Sequence, residues 1–175
     1  KRSVSDILQS RMIKNATSVA RASRLQYLYR KYGIACFQST AEDLVSNKDV
    51  LKVFEENPEI EESCRYIYSR TRLTRLMPPG FLGFTHYHLS KSHYPEFIDP
   101  FFDGLNTGDG LTVDSPIKLL LNRLLDDIIG IGGRQLNKSS KVGLFCKAWN
   151  YYFDGKPIKQ LRFSENNKEK IPDFK

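Results

Sequence analysis

The sequence predicts an all-α fold: a compact multi-helix domain of about eight short helices that closes on an extended C-terminal strap. Three observations carry this. Apolar residues recur at three- and four-residue spacing through most of the chain. Capping residues, prolines and glycines punctuate those stretches at the places where helices start and stop. No segment shows the strict apolar/polar alternation of a half-buried strand.

The stretch that organises the chain is Lys141 to Phe163, which holds the single tryptophan. Val142, Phe145, Trp149 and Tyr152 fall on one helical face, so that face is large and apolar. Gly155 stops this helix and Pro157 prevents a restart. Lys156 to Phe163 then reads as an extended strap anchored by Ile158, Leu161 and Phe163.

The remaining elements follow in order. Ser3 or Ser5 caps a short opening helix. Asn15 caps a longer one over 16–32, with Val19, Ala22, Leu25, Leu28, Tyr29 and Tyr32 inward and Gly33 as its stop. Ser46 to Asp49 resembles a capping box and opens a short helix with Val50, Leu51, Val53 and Phe54. Asn57-Pro58 starts a helix over 58–76, striped by Ile60, Cys64, Ile67 and Leu73 or Leu76. Met77 to Gly80 breaks the pattern, and an aromatic-rich helix over 79–91 follows. Pro95 opens another, which Pro100 is expected to kink or shorten. Ser115-Pro116 opens a helix carrying Ile117, Leu120, Leu121, Leu124, Leu125 and Ile128. Gly130 to Gly133 reads as a loop before the Trp149 helix. The boundaries are one helical domain over residues 1–163 and a polar, flexible tail over 164–175.

The chain has 175 residues, is 40% hydrophobic and carries a net charge of +7, which permits a polyanionic partner without demanding one. Cys36, Cys64 and Cys146 are widely spaced, with no CxxC pair, and read as reduced core thiols of a cytoplasmic protein. No apolar run is long enough to span a membrane. The first residue is Lys1 rather than Met, which leaves room for a preceding domain that holds the chemistry.

Charge is laid out in blocks. Residues 1–40, 63–95 and 128–163 carry +7, +5 and +6, separated by −6 over 41–62 and −5 over 96–127. Three basic sites emerge as candidate phosphate contacts. Arg134, Lys138 and Lys141 sit at the start of the Trp149 helix, where free amides favour anions. Arg65 and Arg72 are seven residues apart and share a face of the helix over 58–76. Arg21 and Arg24 lie opposite Val19 and Leu25. The helix pair over 47–76 is a helix-turn-helix candidate, although Glu59, Glu61 and Glu62 at the start of its second helix oppose base readout.

Catalytic and metal chemistry find little support. His86 and His88 diverge on a helix, and no metal-ligand spacing surrounds them or His93. The glycine stretch at 130–133 lacks the spacing of a phosphate loop, and no Gly-x-Ser-x-Gly occurs. Adjacent acids such as Asp126-Asp127 read as solvated faces. No catalytic residue, metal or cofactor is assigned.

A resemblance adds to this. The order is Lys1-Arg-Ser-Val-Ser-Asp-Ile-Leu-Gln, a helix ending in Tyr-Arg-Lys-Tyr-Gly33, Asp49 to Pro58, and Leu73-Thr-Arg-Leu-Met-Pro-Pro79. Thr107-Gly-Asp-Gly110, Asp114-Ser-Pro116, Lys147-Ala-Trp-Asn150 and the Leu161-Arg-Phe strap complete it. Together these resemble the helical C-terminal region of ParB/sulfiredoxin-like proteins of phages and mobile elements, whose N-terminal domain bears an Asp-Gly-Gln-His-Arg motif. The resemblance covers most of residues 1–163 and rests on caps, turns and core. It implies a DNA-associated protein with nucleotide-dependent or nuclease-like chemistry in the N-terminal domain. That motif is absent here, so no catalytic residue carries over. The expectation is a non-catalytic module that binds the phosphate backbone of nucleic acid, DNA before RNA. The alternative is an interaction or oligomerisation module that positions the N-terminal domain.

Overall fold

The computed structural model of the chain describes residues 2–38, 45–131, 135–164 and 168–175. Among the described residues there are nine α-helices, one 3-10 turn and no strand. They cluster into two compact units: Lys1–Gly33 with Ser39–His93, and Ile34–Gln38 with Tyr94–Lys175. The sequence reads as one domain because apolar helical stripes run through residue 163; in the structure those stripes divide between the two units.

The N-terminal unit contains α1 (Val4–Ser10), α2 (Ala16–Tyr32), α3 (Asn47–Glu56), α4 (Glu59–Tyr68), α5 (Leu73–Leu76) and α6 (Pro79–Ser90). Ser3 and Asp6 close a reciprocal capping box on α1. Ser46 accepts from the Asp49 N–H at the start of α3. At α2 the expected side-chain cap is absent. Asn15 adopts a left-handed conformation, and its carbonyl instead accepts from Ser18 and Val19. Val19, Ala22 and Leu25 are buried as expected, but Tyr32 is exposed.

The expected helix over 58–76 is two helices, because side chains compete for a carbonyl at its middle. Ser69 Oγ and Arg70 Nη1 both donate to the Tyr66 carbonyl, at 2.7 and 3.0 Å. The Arg70 guanidinium also lies 3.5 Å from the Tyr66 ring centre. The chain leaves the helix after Tyr68 and resumes at Leu73, with Leu73 and Leu76 still buried.

Two glycines on α6 set its neighbours' distance. A methyl group at Gly83 would come within 2.6 Å of Cys64 Sγ, and one at Gly80 within 2.6 Å of Arg21 Cβ. Asn57 ties the unit together at the α3–α4 turn. It accepts from Tyr87 Oη at 2.5 Å and Arg30 Nη2 at 3.0 Å, and donates to the Val53 carbonyl.

The C-terminal unit contains α7 (Pro95–Thr107), α8 (Pro116–Ile129) and α9 (Lys138–Phe153). Pro100 lies on the exposed side of α7 and does not shorten it, since Ile98, Phe101, Phe102 and Leu105 hold the helix to the core through both turns. Phe101 sits at the centre of an aromatic cluster. Its ring centre lies 5.2–5.4 Å from those of Trp149, Phe145 and Tyr152. Trp149 is fully buried, as its helical face requires.

The segment over 168–175, expected to be loose, is docked on α9. The Trp149 indole N–H donates to the Lys175 carbonyl at 3.0 Å, and Asn150 brackets Asp173 and Lys175. Gln38 donates to the Glu169 carbonyl and accepts from the Ile171 N–H, while Ile171 is buried. Polar composition misled here: the side chains are polar, but the backbone is held by amides on other elements.

Phe101→Ala is expected to destabilise the C-terminal unit by about 3–5 kcal/mol. Trp149 emission through a urea titration reads this directly, because the single tryptophan touches the deleted ring.

Candidate functional site

A groove of about 450 Å³ lies in the C-terminal unit between Leu119, Asn122 and Arg123 of α8 and the strap from Lys159 to Ser164. On the helix side, Ser115 caps α8 and Pro116 takes its first position. Ile117, Leu120, Leu121 and Leu124 then face the core. The spacing leaves Leu119 and Arg123, one turn apart, on the outer face.

The strap is held at several points. Leu161 is buried, and the Ile158 N–H donates to the Asp114 carbonyl at 2.9 Å. Lys147 Nζ donates to the Arg162 carbonyl at 2.6 Å and to Glu169 Oε1 at 2.7 Å. Glu169 Oε2 accepts from the Ser164 N–H. Burial pulls the Glu169 carboxyl up, but Lys147 and the Ser164 N–H outweigh it and hold it below the usual range. Phe163 rests on α9 at Gly143, where a methyl group would come within 2.5 Å of the ring.

This arrangement concentrates positive charge. Arg123, Lys159 and Arg162 line the groove together with the amides of Asn122 and Gln160, and among the described residues no carboxylate lines it. None of the three cations makes an ion pair among the described residues. A groove of this kind suits an anion.

The residues singled out from the sequence are dispersed. In the N-terminal unit, Arg65 is exposed and lies 3.7 Å from Glu61. Arg72 is exposed in the turn before α5, so the helix break removes the face it was expected to share with Arg65. Arg21 is exposed and Arg24 half-buried on α2, and neither makes an ion pair among the described residues. In the C-terminal unit, Lys138 is exposed at the first position of α9. Arg134 lies outside the described residues.

Lys141 is engaged inside the fold, at 2.7 Å from the buried carboxylate of Asp127. Asp127 also accepts from the Leu136 N–H, which joins the end of α8 to the start of α9. It is therefore a buried acid rather than part of a solvated face. Burial raises its carboxyl, but the hydrogen bonds from Lys141 and Leu136 and the charges of Lys141 and Arg123 outweigh that and lower it.

Sequence reasoning missed Arg123, Lys159 and Arg162 as a group. Lys159 and Arg162 belong to the basic block over 128–163, but Arg123 lies in an acidic block that masked it.

A larger groove of about 580 Å³ lies in the N-terminal unit between α4 and α6. His86 stacks on Tyr66 with ring centres 3.8 Å apart, and its Nδ1 is 3.0 Å from Ser63 Oγ. Glu59 and Glu62 line it, and Lys91 at its rim lies 3.8 Å from Glu59. Its charges are mixed where those of the α8–strap groove are of one sign. The acidic first turn of α4 also keeps its carboxylates, with Glu61 accepting from the Lys14 N–H.

The thiols are poor nucleophiles near neutral pH. Burial pushes Cys36 up to about 11 and Cys64 up to about 12, and raises Cys146 well above its usual value. No group of three or more His, Cys, Asp or Glu side chains is placed to hold a metal among the described residues. No described helix is long and apolar enough to cross a membrane. In comparisons with known proteins, no family model, no curated protein and no solved structure matches the chain.

A carboxyl held below its ordinary value stabilises the fold above that value and stops doing so as pH falls through its folded pKa. Asp127→Asn is expected to cost about 1–3 kcal/mol at pH 7. The difference from the parent chain should close below pH 3.8 in denaturation series run across pH.

Proposed function

We propose that the chain is a non-catalytic, DNA-associated helical module that binds the phosphate backbone, within a larger ParB-like protein of a phage or mobile element. One observation carries the reading: the α8–strap groove is lined by Arg123, Lys159 and Arg162, with no carboxylate in its walls among the described residues. Cations that make no ion pair among the described residues are available to phosphate, and each phosphate they neutralise releases counterions. Arg21 and Arg24 on α2 supply a further contact surface in the N-terminal unit. The rest of the reading comes from the three basic blocks and the resemblance of the caps, turns and core.

Binding to DNA should weaken with salt, by about 0.9 in log–log slope per contacted phosphate on a duplex and about 0.7 on a single strand. Replacing Arg123 and Arg162 with glutamine should weaken binding roughly tenfold or more and flatten the slope by about two contacts. Fluorescence anisotropy over a salt series measures both quantities. An unchanged slope in the double variant refutes the groove as the contact.

A second reading is favoured by a separate observation in the C-terminal unit. Tyr94 is 75% and Phe97 48% exposed, and the half-exposed ring of Phe153 lies 6.1 Å from Phe97. Exposed aromatics of this kind are enriched at protein interfaces. They suit an interaction or oligomerisation module that positions an N-terminal domain. Sedimentation that shows mass rising with concentration, and a return to monomer in Phe97→Ser, would support it. A strict monomer at all concentrations counts against the oligomer.

A further inference from the structure

We propose that the α8–strap groove takes single-stranded DNA, with one base stacked on Phe163 and the flanking phosphates on Arg123, Lys159 and Arg162. The inference rests on the phosphate-binding reading and specifies the form of nucleic acid that the same groove accepts.

Phe163 is the first reason. Its ring lines the groove, is half-buried, and makes no contact with another aromatic ring among the described residues. The rings gathered around Phe101 and Trp149 are engaged with one another. Phe163 is instead clamped on the bare backbone of Gly143, so it is rigid without being enclosed. A rigid ring beside a row of cations is the arrangement that stacks an unpaired base, and every base has a face to offer it. In a duplex the bases are already stacked on one another and only their edges reach the grooves, so such a ring has no partner there.

The strap backbone is the second reason. The N–H groups of Lys159, Gln160, Leu161, Arg162 and Phe163 have no acceptor among the described residues. The strap has no strand beside it among the described residues, and successive N–H groups of such a segment point to alternate sides, so only part of this set faces the groove. Those that do can serve phosphate oxygens or base carbonyls. Asn122 and Gln160 add amides that donate and accept, so they tolerate different base edges. The composition therefore favours binding with weak sequence preference.

The test uses the whole chain and fluorescence anisotropy with three labelled probes of equal length: oligothymidylate, an abasic strand with the same phosphates, and a mixed-sequence duplex. The parent chain is expected to bind oligothymidylate roughly tenfold more tightly than the abasic strand, the weight of one base stack. It should also prefer oligothymidylate to the duplex. Phe163→Leu should remove most of the gap between oligothymidylate and abasic strand. The abasic comparison needs no variant, so it decides the matter even if Phe163→Leu fails to fold.

Equal binding of oligothymidylate and abasic strand, with R123Q/R162Q weakening both, overturns the stacking and leaves the phosphate reading standing. Tighter binding to the duplex has the same meaning. Oligoglutamate displacing the single strand at equal charge concentration overturns the proposal in favour of an acidic peptide. No binding of any probe at low salt removes both this inference and the reading beneath it.

Discussion

The α8–strap groove depends on one absence, the missing side chain at Gly143. Position 143 faces the core side of α9, between Val142 and Leu144, which are both buried. A methyl group there would come within 2.5 Å of the Phe163 ring, well inside van der Waals contact. With hydrogen alone, the ring lies flat against the helix and seats the strap. Leu161 is then buried beside it, and Lys159 and Arg162 are left on the outer side facing Arg123. The groove is the space between a helix and a segment that one glycine allows to come close.

The basic residues of the C-terminal unit divide by burial. Lys141 and Lys147 lie at the edge of the core and meet Asp127 and Glu169, each at 2.7 Å. Taking such charges partly out of water is unfavourable unless each is paired and hydrogen-bonded, and both acids gain a backbone N–H as well. These pairs fasten segments distant in sequence: α8 to α9 in one case, the tail and strap to α9 in the other. Arg123, Lys159 and Arg162 stay in water, where an unpaired cation carries no penalty. Basic residues of one unit therefore serve two ends, those of α9 in the fold and those of α8 and the strap in the groove. Depth does not separate them fully, since the exposed Lys175 also pairs, with Asp154 at 2.5 Å.

The N-terminal unit is governed by a different economy of contacts. Asn57 is buried between α3 and α4 and satisfies Tyr87, Arg30 and the Val53 carbonyl at once. A buried amide with its partners in place fixes a turn more tightly than apolar packing does, because misplacement leaves polar groups unsatisfied. Gly83 on α6 brings Cys64 Sγ against its backbone, which explains why that thiol is sealed from solvent. Carboxylates of this unit stay close to its cations: Glu55 to Arg11, Glu56 to Arg30, Glu59 to Lys91 and Glu61 to Arg65. That neighbourhood is why the larger groove here is mixed in charge.

The sequence by itself determined the helical class, a serine cap at residue 3 or 5, the Ser46 and Ser115 caps, the glycine stop at 33, and the burial of Trp149, Phe145 and Ile60. These are local matters, set by propensity, capping chemistry and a spacing of three to four residues within one element. Tertiary structure decided the rest. The split at 69–72 turns on Ser69 and Arg70 competing for one carbonyl. The docking of 168–175 turns on amides from Gln38 and Asn150, residues far away in the chain. The groove joins Arg123, hidden in an acidic block, to Lys159 and Arg162 some forty residues later. Lys141 was read as a surface cation because sequence shows charge but not depth. Its partner, Asp127, is fourteen residues away across a loop, and only folding brings the two within hydrogen-bond distance.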